Sequence, residues 1–420
     1  MAQGALGRTR NQAGAVAILA VAVAVFIAVA AVRHGFFDLK VYAGAIRYWV
    51  RDGGDIYDYL KPSSTYGFTY PPFAAFTMAP MAYLPWPVVI VLSVLATAAA
   101  SGLVLWWLVG PLARYAGWTG WFTLAVAACL AAAFEPMRET VLFGQVNMLL
   151  LFLVAADLLW LVAGRTPFGT SVPARWRRWA GIGVGLATAI KLTPGVFIVY
   201  LLVTRRIRAA LVAAGTAAAA SVLAAAVAPD ASRVFWTEAL WNTDRVGSLG
   251  YISNQSLQGL VARLDPAQPS RLAWLVLVLA ALAVWAWRAR AAVAVGNEAA
   301  GFALTGVVGC LVSPVTWVHH LVWLLPALIL LVDAGVRATG RRRRALLGFA
   351  AVLYVLLCSR LVWLWEDGSG GIGGFVGSNA YVWASLALLV GLPVRRVSPD
   401  PAGRGSEPRP TPAVDGPRTV

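Results

Sequence analysis

The chain has 420 residues, of which 60% are hydrophobic and 12% are charged, and its formal net charge is +16. Soluble globular proteins are about 45–50% apolar and about 25% charged, so this composition excludes a soluble enzyme. It predicts an all-α, polytopic membrane protein, because several apolar stretches reach the roughly 20 residues that a membrane-spanning helix needs.

The apolar stretches predict roughly 10–13 transmembrane helices, including broken or re-entrant ones. The first, at 13–32, follows a short N-terminus at 1–12, and no small-residue cleavage site marks it as a removable signal. The segment 71–83 is too short to span alone. The other stretches lie at 84–109, 118–134, 144–164, 179–203, 209–228, 271–287, 299–313, 319–335, 345–363 and 380–394.

The stretch at 179–203 is predicted to be a broken helix. It contains Lys191-Leu192-Thr193-Pro194-Gly195 at its middle, and proline and glycine interrupt helices. If the two halves dip into the membrane and return, every later arginine cluster falls on the same side as the N-terminus. A single crossing would place those clusters outside.

With the N-terminus in the cytoplasm, the inner segments hold 22 cations and 6 acids, and the outer side holds 12 of each. This distribution follows the positive-inside rule, so the net charge records orientation rather than a nucleic-acid partner. The tail at 397–420 is rich in Pro, Gly, Ser and Arg and is predicted to be disordered and cytoplasmic. The membrane-embedded domain is therefore predicted to occupy 13–396, after a cytoplasmic N-terminus at 1–12.

Polar segments gather on the predicted outer side. They lie at 33–70, 134–147, 229–270 and 313–320, and Lys191 approaches the same face from the helix break. Ionisable residues inside or beside membrane spans commonly mark functional sites, and irregular backbone at membrane depth is tolerated where it lines a cavity. The pattern predicts a catalytic or binding cavity at the outer leaflet.

Ordinary structural roles remain open for these residues. Asp38 could be a helix-end carboxylate beside Lys40, Glu135 and Arg138 could form an interfacial ion pair, and Gln145 could cap a helix. His319 and His320 are adjacent, so on a helix they point about 100° apart and cannot face one site equally. A two-histidine metal site would instead need helical spacing of three or four residues.

Seven short motifs in a fixed order resemble glycosyltransferase family 87, over about residues 13–396. They are Asp-Leu-Lys-Val-Tyr at 38–42, Tyr57-Asp58, Phe-Thr-Tyr-Pro-Pro-Phe at 68–73, Phe-Gly-Gln-Val-Asn at 143–147, Lys-Leu-Thr-Pro-Gly at 191–195, Asn-Gln-Ser-Leu-Gln-Gly at 254–259 and Ser-Pro-Val-Thr-Trp-Val-His-His at 313–320. This family comprises polyprenol-phosphate-mannose-dependent α-(1→2)-mannosyltransferases of the actinobacterial envelope, with the C-type glycosyltransferase fold.

The resemblance implies a multi-pass enzyme of the bacterial plasma membrane whose active site faces outward. It would transfer mannose from polyprenyl-phosphate mannose to a lipid-linked glycan of the phosphatidylinositol mannoside or lipomannan type, with no nucleic-acid partner. The catalytic base of the family is an Asp just after the first span, which corresponds to Asp38. The paired histidines of the family correspond to His319 and His320.

The chemistry agrees with the residues available. Inverting transfer needs one carboxylate base, and the departing phosphate needs cations or hydrogen-bond donors. A lipid monophosphate carries less charge than a nucleotide diphosphate, and the sequence contains no Asp-x-Asp pair, so no metal or other cofactor is expected. The candidate phosphate-binding residues are His319, His320, Lys191 and Arg138. The candidate sugar- or acceptor-binding residues are Tyr42, Asp58, Tyr70, Glu135, Gln145, Asn147, Asn254 and Gln255.

Two alternatives remain open. A related transferase that uses polyprenyl-phosphate arabinose would need the same fold and the same base. A lipid or sugar transporter or flippase would also contain broken helices and a polar cavity. Against a transporter, the two halves of the sequence show no matching breaks, and the polar segments favour one face.

Overall fold

The computed structural model describes residues 2–30, 34–164, 171–242 and 247–395, with side chains from residue 9 onward. The predicted tail at 397–420 lies outside the described residues. Within these ranges the chain forms nineteen α-helices with short 3-10 and π segments and no β-strand. The predicted all-α class is therefore confirmed.

The first ten helices are α1 (Ala2–Ala30), α2 (Phe37–Val50), α3 (Pro72–Met78), α4 (Trp86–Ala116), α5 (Gly120–Ala133), α6 (Glu135–Phe143), α7 (Asn147–Ala156), α8 (Ala174–Arg177), α9 (Ile182–Ile190) and α10 (Val196–Val203). The other nine are α11 (Ile207–Val227), α12 (Pro229–Val234), α13 (Leu257–Leu264), α14 (Arg271–Ala294), α15 (Glu298–Val312), α16 (Leu325–Arg337), α17 (Gly340–Cys358), α18 (Gly371–Ser378) and α19 (Ala380–Gly391). A π-helix over Asp157–Val162 extends α7, and a 3-10 segment over Val318–Leu324 precedes α16.

Five helical segments of the described chain are long and apolar enough to cross a membrane, and counting each of two bent pairs as one span gives seven. The bends measure 73° between α5 and α6 and 56° between α18 and α19. Three shorter apolar helices accompany them. The five long segments are Thr9–Ala30, Trp86–Ala116, Ile207–Val227, Arg271–Ala294 and Val318–Arg337. These helices confirm a multi-pass membrane protein, and the total of 10–13 crossings, which includes short and broken segments, stays a prediction.

The break predicted in the 179–203 stretch lies at Lys191. Helix α9 ends at Ile190, Lys191 is extended with φ −150° and ψ 129°, and α10 begins only at Val196. Pro194 lies in the intervening 3-10 turn, Thr193–Gly195, where its ring and missing N–H prevent a continuous helix. The break turns Lys191 away from a regular helix surface and into the polar site described below.

The buried apolar side chains form two separate cores. The smaller core includes Tyr57, Phe68 and Phe235 and joins α2 and α3 to the start of α4. The larger core contains most of the remaining helices. Val146 and Ile190 pack against both cores. These two side chains neighbour the polar segments at 143–147 and 191–195, so the two cores meet where those segments lie.

Candidate active site

Asp38 lies in the first turn of α2, where the chain is held against the end of α6. The Phe36 N–H donates to the Leu142 carbonyl at 2.9 Å, and Gly144 ends α6 in the left-handed conformation with φ 70°. A Cβ at Gly144 would lie 2.6 Å from the Leu39 Cβ, so only glycine permits this approach. The next residue, Gln145, therefore reaches Asp38, and its Nε2 donates to Oδ2 at 2.5 Å.

Tyr70 continues the network beyond Gln145. Its hydroxyl donates to Gln145 Oε1 at 2.9 Å and lies 2.9 Å from the Tyr42 hydroxyl. Since Tyr70 has one hydroxyl proton and gives it to Gln145, Tyr42 is the donor to Tyr70. The Tyr57 hydroxyl also holds the Tyr70 backbone by donating to its carbonyl at 2.8 Å. The side chain of Tyr70 therefore has a fixed position beside Asp38 and Gln145.

Lys191 completes the network on the side away from Asp38. Its Nζ lies 3.3 Å from the Tyr70 hydroxyl, 3.1 Å from Asn147 Oδ1 and 2.9 Å from His320 Nε2. Asn147 Nδ2 donates to the His319 carbonyl at 3.1 Å. The predicted residues Asp38, Tyr42, Tyr70, Gln145, Asn147, Lys191, His319 and His320 thus come together at one place, and we call them the central cluster.

The ring of His319 points into the same region as the central cluster. It is buried and packs against the rings of Phe143 and His320, with centroids 5.3 Å and 4.5 Å away. Its Nε2 has no hydrogen-bond partner among the described residues. Buried polar atoms are nearly always paired, so His319 Nε2 is available to a bound molecule.

Burial also changes the chemistry of Asp38, which lies outside the segments long enough to span the membrane. Removal from water raises the pKa of Asp38 to about 6, although the hydrogen bond from Gln145 acts to lower it. A carboxylate with a pKa near 6 is mostly ionised at neutral pH and is a stronger base than an exposed aspartate. Its environment therefore makes Asp38 more basic than an exposed aspartate.

A small cavity adjoins the central cluster at Lys191 and His320. Its other walls are mainly apolar and come from α7, α10, α15 and the 3-10 segment before α16, including Leu150, Phe197 and Trp323. The cavity has room for about one water molecule. Among the described residues, no group of three or more His, Cys, Asp or Glu side chains is arranged to hold a metal ion.

Arg138 lies apart from the central cluster. Its guanidinium donates to the Ala133 carbonyl at 2.6 Å and to the Cys358 carbonyl at 3.3 Å, and it lies over the Phe26 ring. These contacts join α1, α5 and α17 around the bend between α5 and α6. The structure thus places Arg138 where it supports the helix packing.

Glu135 belongs to a second polar group. It accepts hydrogen bonds from Trp363 and from Tyr381, and Arg360 Nη1 lies 3.4 Å from its carboxylate. Arg360 also bonds to Glu139 at 2.8 Å, and His34 Nε2 lies 2.8 Å from the other Glu139 oxygen. Two buried carboxylates are thus compensated by one arginine, one histidine and two neutral donors.

The predicted amides of the 254–259 motif also lie apart from the central cluster. Asn254 Nδ2 donates to the Leu249 and Pro314 carbonyls, and its Oδ1 accepts from the Thr316 N–H. Gln255 Nε2 donates to the Ile252 and Ser378 carbonyls. These bonds join the segment before α13 to the segment after α15. Asp58 is exposed in its loop and is likewise not brought to the cluster.

Sequence reasoning gave no role to His34, Glu139 or Arg360, which form the second polar group with Glu135. His34 stacks on Phe143 with ring centroids 4.0 Å apart, and Phe143 contacts His319 on its other side. His34 is a lone histidine four residues before Asp38, and this position in the sequence indicates a role beside the site. Arg360 gave no such signal, because it is 221 residues from Glu139 in sequence and stands at an ordinary helix end.

The fold and the site together define a multi-pass membrane protein with a buried polar centre that combines a carboxylate, amides, a lysine and two histidines. The model of glycosyltransferase family 87 matches residues 68–314. The chain belongs to this family and is a glycosyltransferase. No solved structure matches the chain.

Three curated relatives support this assignment. A polyprenol-phosphate-mannose-dependent α-(1-2)-phosphatidylinositol mannoside mannosyltransferase of Mycolicibacterium smegmatis is 33% identical, over 84% of this chain and 82% of the relative. The protein of the same description from Mycobacterium tuberculosis is 31% identical, over 89% of both chains. A Mycobacterium tuberculosis phosphatidylinositol pentamannoside mannosyltransferase is 32% identical, over 84% of this chain and 80% of the relative.

The close approach at Gly144 generates a stability prediction. In Gly144→Ala, the left-handed backbone and the collision with Leu39 should together cost about 2–4 kcal/mol of stability, and thermal unfolding of the purified protein in detergent measures the loss. The matched control is Gly215→Ala in α11, where a Cβ meets nothing within 4 Å. This control should be neutral or slightly stabilising. Equal melting temperatures for the two variants would contradict the role given to Gly144.

Proposed function

We propose that this glycosyltransferase transfers mannose from polyprenyl-phosphate mannose to a phosphatidylinositol mannoside or related lipid-linked glycan. The functions that the names of the relatives describe support both substrates. One structural observation carries the proposal. A half-buried carboxylate and a lysine–histidine pair lie at opposite ends of one hydrogen-bond network, joined through Gln145 and Tyr70. The reaction needs a base for the acceptor and cationic or donor groups for the phosphate.

Asp38 acts as the general base. It removes the proton from the acceptor hydroxyl as that oxygen attacks the anomeric carbon of the donor, and the bond from that carbon to the phosphate oxygen breaks on the opposite side. One displacement inverts the configuration, so a second carboxylate nucleophile is unnecessary. Gln145 holds the Asp38 carboxylate in place with its Nε2–H.

Lys191, His319 and His320 bind the phosphate of the donor. The phosphate gains negative charge as its bond to the sugar breaks, and nearby donors stabilise that charge most strongly where water is excluded. His319 Nε2 has an unused bonding position within the described residues. Leu150 and Phe197, in the walls of the adjoining small cavity, form an apolar surface beside Lys191.

The residues of the central cluster bind donor and acceptor without a metal ion. Tyr42, Tyr70, Gln145 and Asn147 supply hydroxyl and amide groups for sugar hydroxyls. The positive-inside distribution of arginine supports an active site on the outer face of the plasma membrane.

Replacement of the base tests the chemistry. Asp38→Asn should lower kcat by about 10²–10⁴-fold and leave donor binding largely intact, because the side-chain volume is kept while the base is lost. The assay follows radiolabelled mannose from polyprenyl-phosphate mannose to phosphatidylinositol mannosides in proteoliposomes. Asp52→Asn, at an exposed aspartate, is the matched control. Full activity of Asp38→Asn would exclude this base. If the wild-type protein transferred arabinose from polyprenyl-phosphate arabinose and did not transfer mannose, the alternative donor would be identified.

The raised pKa of Asp38 gives the reaction an acidic limit. The carboxylate must be ionised to accept a proton, so kcat/KM should fall as the pH drops through about 6 and approach a tenfold loss per pH unit below it. The profile is measured in the same proteoliposome assay. The residual activity of Asp38→Asn should lack this limb. A flat wild-type profile between about pH 5 and pH 8 would contradict the assignment.

The orientation has its own test. A cysteine at Thr65, exposed in the loop between α2 and α3, should react with a membrane-impermeant maleimide in intact cells. A cysteine at Arg341, exposed at the start of α17, should react only after permeabilisation. The unsubstituted protein corrects for its own partly exposed Cys129. The reverse labelling pattern would place the active site on the cytoplasmic face.

A further inference from the structure

The hydrogen bonds around His320 fix the position of its proton. The backbone N–H of Trp317 donates to His320 Nδ1 at 3.1 Å. A ring nitrogen that accepts a hydrogen bond carries no proton, so His320 is not an imidazolium, and the proton of the neutral ring lies on Nε2. Nε2 is therefore a donor, and it faces the Nζ of Lys191 at 2.9 Å.

The other two neighbours of Lys191 are acceptors. Asn147 presents Oδ1 to Nζ, because its Nδ2 is engaged with the His319 carbonyl. The Tyr70 hydroxyl donates its hydrogen bond to Gln145, so it accepts a hydrogen bond from Lys191. Lys191 thus needs two N–H donors and one lone pair.

A protonated lysine cannot satisfy this set of partners. An ammonium group has three donors and no acceptor, so one of its hydrogens would point at the hydrogen on His320 Nε2. A neutral amine has two donors and one lone pair, which matches Tyr70, Asn147 and His320 one for one. The geometry alone selects the neutral form.

We propose that Lys191 is a neutral amine in the donor-free protein and takes up one proton from water when the phosphate of the donor enters the site. This inference rests on the proposed function. The phosphodiester brings a negative charge and acceptor oxygens, and these favour the ammonium form in place of the bond to His320. The N–H bond forms on Nζ, and the proton comes from a hydronium ion or a buffer acid in the solvent, which is left as water or the buffer base. The new positive charge then faces the phosphate as its bond to the sugar breaks.

The surroundings of Lys191 agree with this assignment. The titratable groups that face it are Asp38 of α2, Tyr70 from the loop before α3, Cys310 of α15, and His319 and His320. Asp38 is the acidic side chain of this set, and its negative charge favours an ammonium group on Lys191. Gln145 and Tyr70 lie between Asp38 and Lys191 in the network. The apolar walls of the cavity oppose a charge that has no bound anion.

Isothermal titration calorimetry measures the proposed proton uptake. Decaprenyl-phosphate mannose is titrated into the detergent-solubilised protein at about pH 8 in HEPES and in Tris, whose ionisation enthalpies differ. The donor is a phosphodiester and does not itself titrate at this pH. The difference in binding enthalpy between the buffers should correspond to about one proton taken up per donor bound.

The Lys191→Arg variant tests whether the proton is taken up by Lys191 and not by another group. A guanidinium is always charged, so the variant should bind the donor with an uptake near zero. Lys61→Arg, in the loop before α3, should keep the wild-type uptake. Donor binding by wild type without proton uptake, or unchanged uptake in Lys191→Arg, would overturn the proposal and leave the proposed function intact. A folded wild-type protein that binds no donor would instead contradict the proposed function.

A second measurement needs no variant. The chain has three lysines, Lys40, Lys61 and Lys191, so selective ¹³C-lysine labelling gives three side-chain signals in an NMR spectrum. Without donor, one Cε signal should have the chemical shift of a neutral amine, and decaprenyl-phosphate mannose should move it to the ammonium position. Three ammonium signals in the donor-free protein at about pH 8 would exclude a neutral Lys191.

Discussion

The central cluster depends on the requirement that buried polar groups satisfy one another. Between two apolar cores a polar side chain has little access to water, and leaving it unpaired costs about 1–3 kcal/mol. Each bond from Asp38 to Lys191 therefore restricts the next. Gln145 gives its amide hydrogen to Asp38, so its oxygen must accept, and Tyr70 supplies the proton. The direction of donation then continues to Lys191 without a free choice.

Backbone irregularities place these groups at the boundary of the two cores. The left-handed Gly144 ends α6 early enough for Gln145 to face α2, and the extended Lys191 leaves α9 where Pro194 prevents a helix. Each irregularity would weaken a regular helix. Together they direct Gln145 and Lys191, which follow the ends of two different helices, toward Tyr70.

The second polar group pairs two further acidic side chains, Glu135 and Glu139, apart from the central cluster. Arg360 contacts both Glu135 and Glu139, and His34 contacts Glu139. Buried ion pairs add little net stability, but a buried glutamate that lost its partner would cost about 3–5 kcal/mol. Asp38, by contrast, is hydrogen-bonded to the neutral amide of Gln145.

The sequence predicted the features that follow from local chemistry. Pro194 and Gly195 indicated the break at Lys191, and the polar ends of several spans indicated that Asp38, Gln145 and His320 would meet. The sequence did not distinguish Gln145 from Asn254, because an amide in the central cluster and an amide that braces a loop are both ordinary polar side chains at the end of a helix. The orientation of Arg138 toward the Ala133 and Cys358 carbonyls depends on the packing of three helices, which no local pattern encodes.

The order of groups in the network bears on the direction of the reaction. In an inverting displacement, the base and the leaving phosphate lie on opposite sides of the anomeric carbon. Asp38 and the pair of Lys191 and His320 occupy opposite ends, and the neutral Gln145 and Tyr70 lie between them. Neutral hydroxyl and amide groups suit the sugar ring, whose hydroxyls need partners without a full charge. In the proposed mechanism, a donor whose phosphate binds at Lys191 therefore directs its sugar toward Asp38, the proposed base for the acceptor hydroxyl.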